Sequence, residues 1–258
     1  MSQETLNKFQ TGQIILIDKP LTWTSFDVVG KVRYFLKKEL GLKKLKVGHA
    51  GTLDPLATGL LILCTGKFTK RIEEIQTQKK EYTGIITLGA TTPSFDLEQS
   101  FDQEFSTSQI TEKTITEVAQ SMIGEQLQTA PVHSAKKIDG KRAYEYARSG
   151  EEVKIKSNLI HIYSFEILGV SAQIDDLKDV IKDYKPNSSI NLNSSYNKGL
   201  HVKFKIACSK GTYIRSIARD FGIKLNSGAH LSELRRTKIG DFDVINSIDV
   251  SNIESLLA

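Results

Sequence analysis

Runs of apolar residues, strict alternation and helical spacing divide this chain into short strands and a few helices. GQIILIDKP (12–20) is an apolar run stopped by Pro20 and predicts a buried strand. Thr24 has Asp27 three residues on, the pattern of a capping box, and opens a predicted helix. Val28, Val29, Val32, Phe35, Leu36 and Leu40 then recur at helical spacing, which leaves the lysines on the outer face. LLILC (60–64) predicts a short buried strand, and a helix is expected over 67–76.

KEYTGIITLGA (80–90) and LHVKFKIACS (200–209) alternate as strands with one buried face do, and IHIYSFEILGV (160–170) also reads as strand. TEKTITEVAQSMIG (111–124) has helical period and a terminal glycine. GTYIRSIARDFGIKL (211–225) is an amphipathic helix entered through a glycine. Residues 129–157 differ in texture: basic, tyrosine-bearing and turn-rich, with a short helical segment expected near 141–148. Residues 187–197 hold four Asn and four Ser, so 171–199 reads as an exposed excursion between strands. DFDVINSIDVSNIESLLA, at the end, predicts a strand and a short closing helix. Strands and helices mix without a regular βαβ rhythm. The expected class is therefore α+β, with a mixed, largely antiparallel sheet flanked by helices, in a single domain over 1–258.

A chain of 258 residues can bury a core without disulfides or metals. Cys64 and Cys208 lie in apolar or alternating segments and read as reduced core cysteines; nothing has zinc-site spacing. No apolar run approaches the ~18 residues of a membrane span. The N-terminus lacks a signal-peptide core, so the expected location is cytoplasmic, with no membrane partner.

The net charge of +5 is modest, but its distribution changes the picture. Seven Lys/Arg stand between Lys31 and Lys46 against Glu39 alone. Ten stand between Lys198 and Lys238 against Asp220 and Glu233, whereas seven acidic residues from Asp96 to Glu125 face only Lys113. Two such basic clusters point to a polyanion partner.

The candidate chemistry lies in KVGHAGTLDPLATG (46–59), three glycines around a single carboxylate. Gly59 is followed by Leu60 and Leu61 rather than Lys-Ser/Thr, which rules out a Walker loop, and the dinucleotide fingerprint is missing too. Pro55 restricts Asp54 to extended backbone. Two readings remain open: a structural aspartate capping the turn, or a rigidly held nucleophile. A nucleophilic aspartate in a partly dry pocket needs a cation. Arg215, beside Tyr213 in GTYIR, is a candidate whose pairing with Asp54 spacing alone cannot establish.

The blocks IILIDKP, VGHAGTLDPLATG, KEYTGIITLG, HSAKKIDGKRAYEYAR, CSKGTYIRSIARDFG and GAHLSELRR, in this order over most of 12–240, resemble the bacterial tRNA pseudouridine synthase B (TruB) family. The resemblance implies the pseudouridine synthase fold and conversion of uridine to pseudouridine in the T-arm loop of tRNA (position 55). Asp54 falls on the family's catalytic aspartate and Arg215 on its ion-pair partner. His49 matches the histidine that displaces and replaces the flipped nucleotide, and Tyr82 the tyrosine that stacks on the target base. Tyr213 and Leu234 match residues lining the uracil pocket; Lys19 and Pro20 match a motif beneath it. The segment about 130–155 resembles the family's thumb, which closes over the T-arm. The isomerisation implies no cofactor, metal or nucleotide, and a monomer is expected.

Two departures qualify the resemblance. About twenty residues follow Arg236, too few for the PUA domain many members carry, and the 171–199 excursion is longer than the family has there. The rival readings are a tRNA-binding chaperone without essential catalysis and a synthase for another RNA site.

Overall fold

The computed structural model describes residues 8–132, 134, 137–138, 141–142, 145–146, 155–177 and 198–257. Its contacts group into two units, Met1–Tyr82 with Leu234–Ala258, and Thr83–Glu233.

In the first unit, β1 (Ile14–Lys19) runs antiparallel to β3 (Ala57–Thr65), in register from Ile14 opposite Cys64 to Lys19 opposite Gly59. The short β2 (Val47–His49) pairs antiparallel with β3. β12 (Ala229–Ile239) pairs parallel with β3 and places Leu234 opposite Ala57. β13 (Phe242–Asp243) turns back on β12, and β14 (Ile248–Asp249) runs parallel to β1.

Helix α1 (Ser25–Glu39) begins with the expected capping box: Asp27 N–H donates to Thr24 Oγ1 at 3.1 Å and Thr24 N–H to Asp27 Oδ2 at 2.8 Å. Such a cap contributes about 1 kcal/mol. The buried side chains of α1 pack with Ile15, Ile17, Leu61 and Leu63, while Leu60, Ile62 and Cys64 form a second cluster with Ile75 and Ile239. A strand buried on both faces needs no alternation, which explains the unbroken LLILC.

The helix expected over 67–76 is instead a 3₁₀ turn, Gly66–Arg71, followed by α2 (Ile72–Thr77). The Thr69 hydroxyl donates to the Gly66 carbonyl at 2.8 Å, a local bond that competes with the α-helical ladder. The closing helix is likewise replaced by 3₁₀ segments, Val244–Asn246 and Val250–Leu257, on either side of β14. Val250 and Ile253 still join the α1 cluster.

β4 (Lys80–Leu88) leads into the second unit. There β7 (Gly124–Gln128) and β11 (Leu200–Cys208) both pair antiparallel with β10 (Asn158–Ser171). Two-residue pairs are formed by β5 (Ala90–Thr91) with β6 (Gln103–Glu104) and by β8 (Lys137–Ile138) with β9 (Lys141–Arg142). β4 was expected to bury one face, yet Gly84 through Leu88 are buried consecutively. The absent side chain at Gly84 admits the Glu233 carbonyl, which a Cβ would meet at 2.2 Å.

Helices α3 (Glu112–Ser121) and α4 (Ile214–Lys224) complete the unit. Phe165 packs edge-on against Phe204 at 5.8 Å between centroids and tilted against Phe221 at 5.5 Å. The helical segment expected near 141–148 begins as strand β9, and helical backbone is confined to 145–146 among its described residues. Most of the 130–155 segment beyond Ser134, and residues 178–197 of the Asn/Ser-rich excursion, lie outside the described residues. The α+β class and the mixed, mostly antiparallel pairing stand as expected. Among the described residues no helix is long and apolar enough to cross a membrane.

Candidate active site

The loop carrying Asp54 joins β2 to β3, so both of its ends are tied to strands. Ala50 N–H donates to the Ile62 carbonyl at 2.8 Å, and Ala57 N–H closes the far end on the Asp54 carbonyl at 3.0 Å. Gly51 has φ +107°, a conformation open mainly to glycine. Thr22 N–H holds the Pro55 carbonyl at 2.8 Å.

Three side chains pin the loop from beneath. The Ser25 hydroxyl accepts from Leu53 N–H at 2.9 Å and lies 3.1 Å from the Leu53 carbonyl, to which it donates. Arg236, 1% exposed, donates from Nε to the Leu60 carbonyl at 2.8 Å. Its Nη2 reaches the Gly51 carbonyl at 3.0 Å and its Nη1 the Thr52 carbonyl at 3.4 Å. Lys19, fully buried, donates from Nζ to the carbonyls of Trp23 at 2.6 Å, Pro20 at 2.9 Å and Pro55 at 3.4 Å. Arg235, on the opposite face of β12, makes a two-pronged ion pair with Asp18 at 2.9 and 2.6 Å.

Two buried cations therefore hold backbone carbonyls of the loop that carries the half-buried Asp54 carboxylate. Burial pushes the Lys19 pKa down to about 7; the Asp54 charge opposes that shift and Arg236 reinforces it. Burial likewise lowers the pKa of His49 below its ordinary value, opposed by the Gly51 backbone and assisted by Arg236. A histidine lowered in this way is neutral at pH 7, and its Nδ1 is buried without a hydrogen-bond partner among the described residues.

Of the residues singled out from sequence, Lys19, His49, Asp54, Tyr82 and Leu234 belong to the first unit. Leu234 stands in register with Ala57, three residues past Asp54, and its carbonyl accepts from Thr58 Oγ1 at 3.5 Å. Tyr82 on β4 is 8% exposed. Tyr213 and Arg215 belong to the second unit, at the start of α4. There the Gln128 amide clamps Tyr213, accepting from its N–H at 2.8 Å and donating to its carbonyl at 3.1 Å. Arg215 is buried, 3.3 Å from Asp96 Oδ2, and donates to the Ser94 carbonyl at 3.3 Å.

Sequence reasoning missed Ser25, Arg236, Gln128 and Asp96. One signal was available: period-two alternation puts one of two adjacent strand arginines indoors, as Arg235 and Arg236 show. The same alternation puts Lys19 in phase with buried Ile15 and Ile17.

A family model described as TruB family pseudouridylate synthase (N terminal domain) matches residues 37–214. One described as tRNA pseudouridylate synthase B C-terminal domain matches 215–258. The chain is 49% identical to a tRNA pseudouridine synthase B of Flavobacterium johnsoniae, over 98% of this chain and 99% of that protein. It is 47% identical to the protein of the same name from Phocaeicola vulgatus, over 96% and 94%. Among solved structures it resembles a chain of a Cbf5-Nop10-Gar1 complex, with a TM-score of 0.64 and 26% identity over 97% of this chain, which spans 56% of that one. The chain belongs to the TruB family of pseudouridylate synthases.

Proposed function

We propose that this protein isomerises uridine to pseudouridine in tRNA, at position 55 of the T-arm loop, with Asp54 as the essential carboxylate. The observation that carries this reading is the mount of Asp54. Its loop is held by Ser25, Arg236 and Lys19, two of them buried cations, inside the motif the family resemblance assigns to catalysis. Rigid placement of one ionised carboxylate is what a reaction without redox change or phosphate transfer demands.

The C1′–N1 bond breaks, the uracil turns, and a new bond joins C1′ to C5; the C5 proton departs and N1 regains one, so atoms balance within the substrate. Asp54 attacks the sugar C1′, assists departure of the base, or adds to C6, and each route uses the same ionised group. The uridine leaves its stack first, at a cost of a few kcal/mol. Tyr82 offsets that by stacking, His49 takes the vacated place in the RNA, and Tyr213 and Leu234 line the base pocket. Arg215 supplies the cation for Asp54. The enzyme acts as a monomer, and the segment about 130–155 serves as the thumb over the T-arm.

Asp54→Asn tests the reading on a T-arm stem-loop. Pseudouridine formation is expected to vanish while RNA binding persists. Turnover near that of the unaltered protein would remove Asp54 from the chemistry. Binding without turnover by the unaltered protein would favour a chaperone role.

A further inference from the structure

The outer face of α1 carries a feature that the uridine pocket does not use. Phe26 is 72% exposed and Tyr34 71%, among the most exposed large hydrophobic side chains described. They stand eight residues apart, so both rings leave the same side of the helix about 12 Å from one another. Gly30 lies between them, and a Cβ built there meets nothing within 4 Å. The ground between the rings is an open shelf.

Its rim is cationic. Arg33 and Lys37 lie on the same face by helical spacing, with Lys31 and Lys38 at its edge. Lys31 sits over the Trp23 ring, 5.4 Å from its centroid. The helix carries two acids: Asp27, engaged by Thr24 in the capping box, and Glu39, 3.8 Å from Lys38; exposed Lys43, Lys44 and Lys46 follow the helix. The face also begins at the catalytic loop, because Ser25, which holds Leu53, immediately precedes Phe26.

We propose that the outer face of α1 is an RNA-contact surface that holds substrate tRNA beside the target uridine. Phe26 and Tyr34 stack on unpaired bases while Arg33 and Lys37 hold phosphates. Exposed aromatics interleaved with positive charge are the chemistry that single-stranded RNA requires. The excess of Lys and Arg over Asp27 and Glu39 favours a polyanion over a protein or a second copy of this chain. The proposal rests on the tRNA reading above for the identity of the RNA, but not on Asp54 being catalytic.

The test uses the full chain carrying F26A/Y34A and, separately, R33E/K37E, with a tRNA transcript as ligand. Folding is checked by thermal melting; Phe26, Arg33 and Tyr34 are exposed and Lys37 is half-buried. Each double variant is expected to raise Kd and KM for tRNA by tenfold or more, with kcat at saturation changed less than twofold. R33E/K37E is also expected to flatten the plot of log Kd against log salt by roughly one to two units of slope, as loss of one or two phosphate contacts does. Values of Kd within twofold of the unaltered protein for both variants would overturn the proposal. A change of oligomeric state in sedimentation with Kd unchanged would also overturn it, in favour of a protein contact. Absence of pseudouridine formation by the unaltered protein would instead count against the enzymatic reading, and the binding comparison would still decide this one.

Discussion

One hydroxyl, that of Ser25, satisfies both backbone groups of Leu53, at 2.9 Å from its N–H and 3.1 Å from its carbonyl. Leu53 is the residue before Asp54, so the first turn of α1 sets the position from which the carboxylate leaves the chain. Gln128 does the same for Tyr213 in the second unit. In both places a short polar side chain stands in for a missing strand or helix partner.

Ser25→Ala should therefore cost more than an exposed serine would. It leaves a buried N–H and carbonyl without this partner, worth about 1–3 kcal/mol of stability. Chemical denaturation should show that loss, and kcat should fall more than tRNA affinity does. Ser25→Thr should recover part of both.

Arg236→Met should be the most damaging change on β12. It withdraws donors from the carbonyls of Leu60, Gly51 and Thr52 at once, with an expected loss of about 3 kcal/mol or more. Arg236→Lys keeps the charge but not the planar fork, so it should fold better than Arg236→Met and still turn over slowly. Equal turnover by Arg236→Lys and the unaltered protein would show that the three-carbonyl grip is unnecessary.

Lys19 predicts a pH dependence with a definite sign. Burial lowers its pKa from the ordinary lysine value of 10.5 to about 7, so between these pH values the unfolded chain binds the extra proton. Its contribution to stability should rise as pH climbs from about 7 towards 10.5, and be lost as pH falls back through 7. Activity should move the other way, falling above pH 7 as the ammonium beside Asp54 is neutralised. Lys19→Met should flatten both profiles; a profile unchanged by that substitution would assign the titration to another group.

Asp96→Ala removes a buried charged partner from Arg215, 3.3 Å away. Breaking such a pair costs about 3–5 kcal/mol. Unfolding of the variant should occur at lower denaturant concentration, and turnover should fall with it, since the same guanidinium is proposed to serve Asp54. Arg215→Lys should reduce turnover markedly with little change in RNA binding.

Much of the fold could be read from local pattern. The capping box of Thr24 and Asp27, the apolar face of α1 and the doubly buried β3 follow from spacing alone, because they depend on neighbours in sequence. The 3₁₀ segments at 66–71, 244–246 and 250–257 were not legible in this way. There, single contacts such as Thr69 to Gly66, or the docking of Val250 and Ile253 under α1, outweigh a weak helical period.

The sequence by itself determined the family, the lone carboxylate and the glycines and proline around it. Tertiary structure decided how that carboxylate is held. Ser25, Lys19 and Arg236 come from a helix, a strand and a second strand up to 185 positions from the atoms they hold. Hydrogen bonds to backbone carbonyls leave no pattern in the sequence being held, since every residue has a carbonyl. Only the parallel register of β12 on β3, with Leu234 opposite Ala57, brings Arg236 beneath the loop.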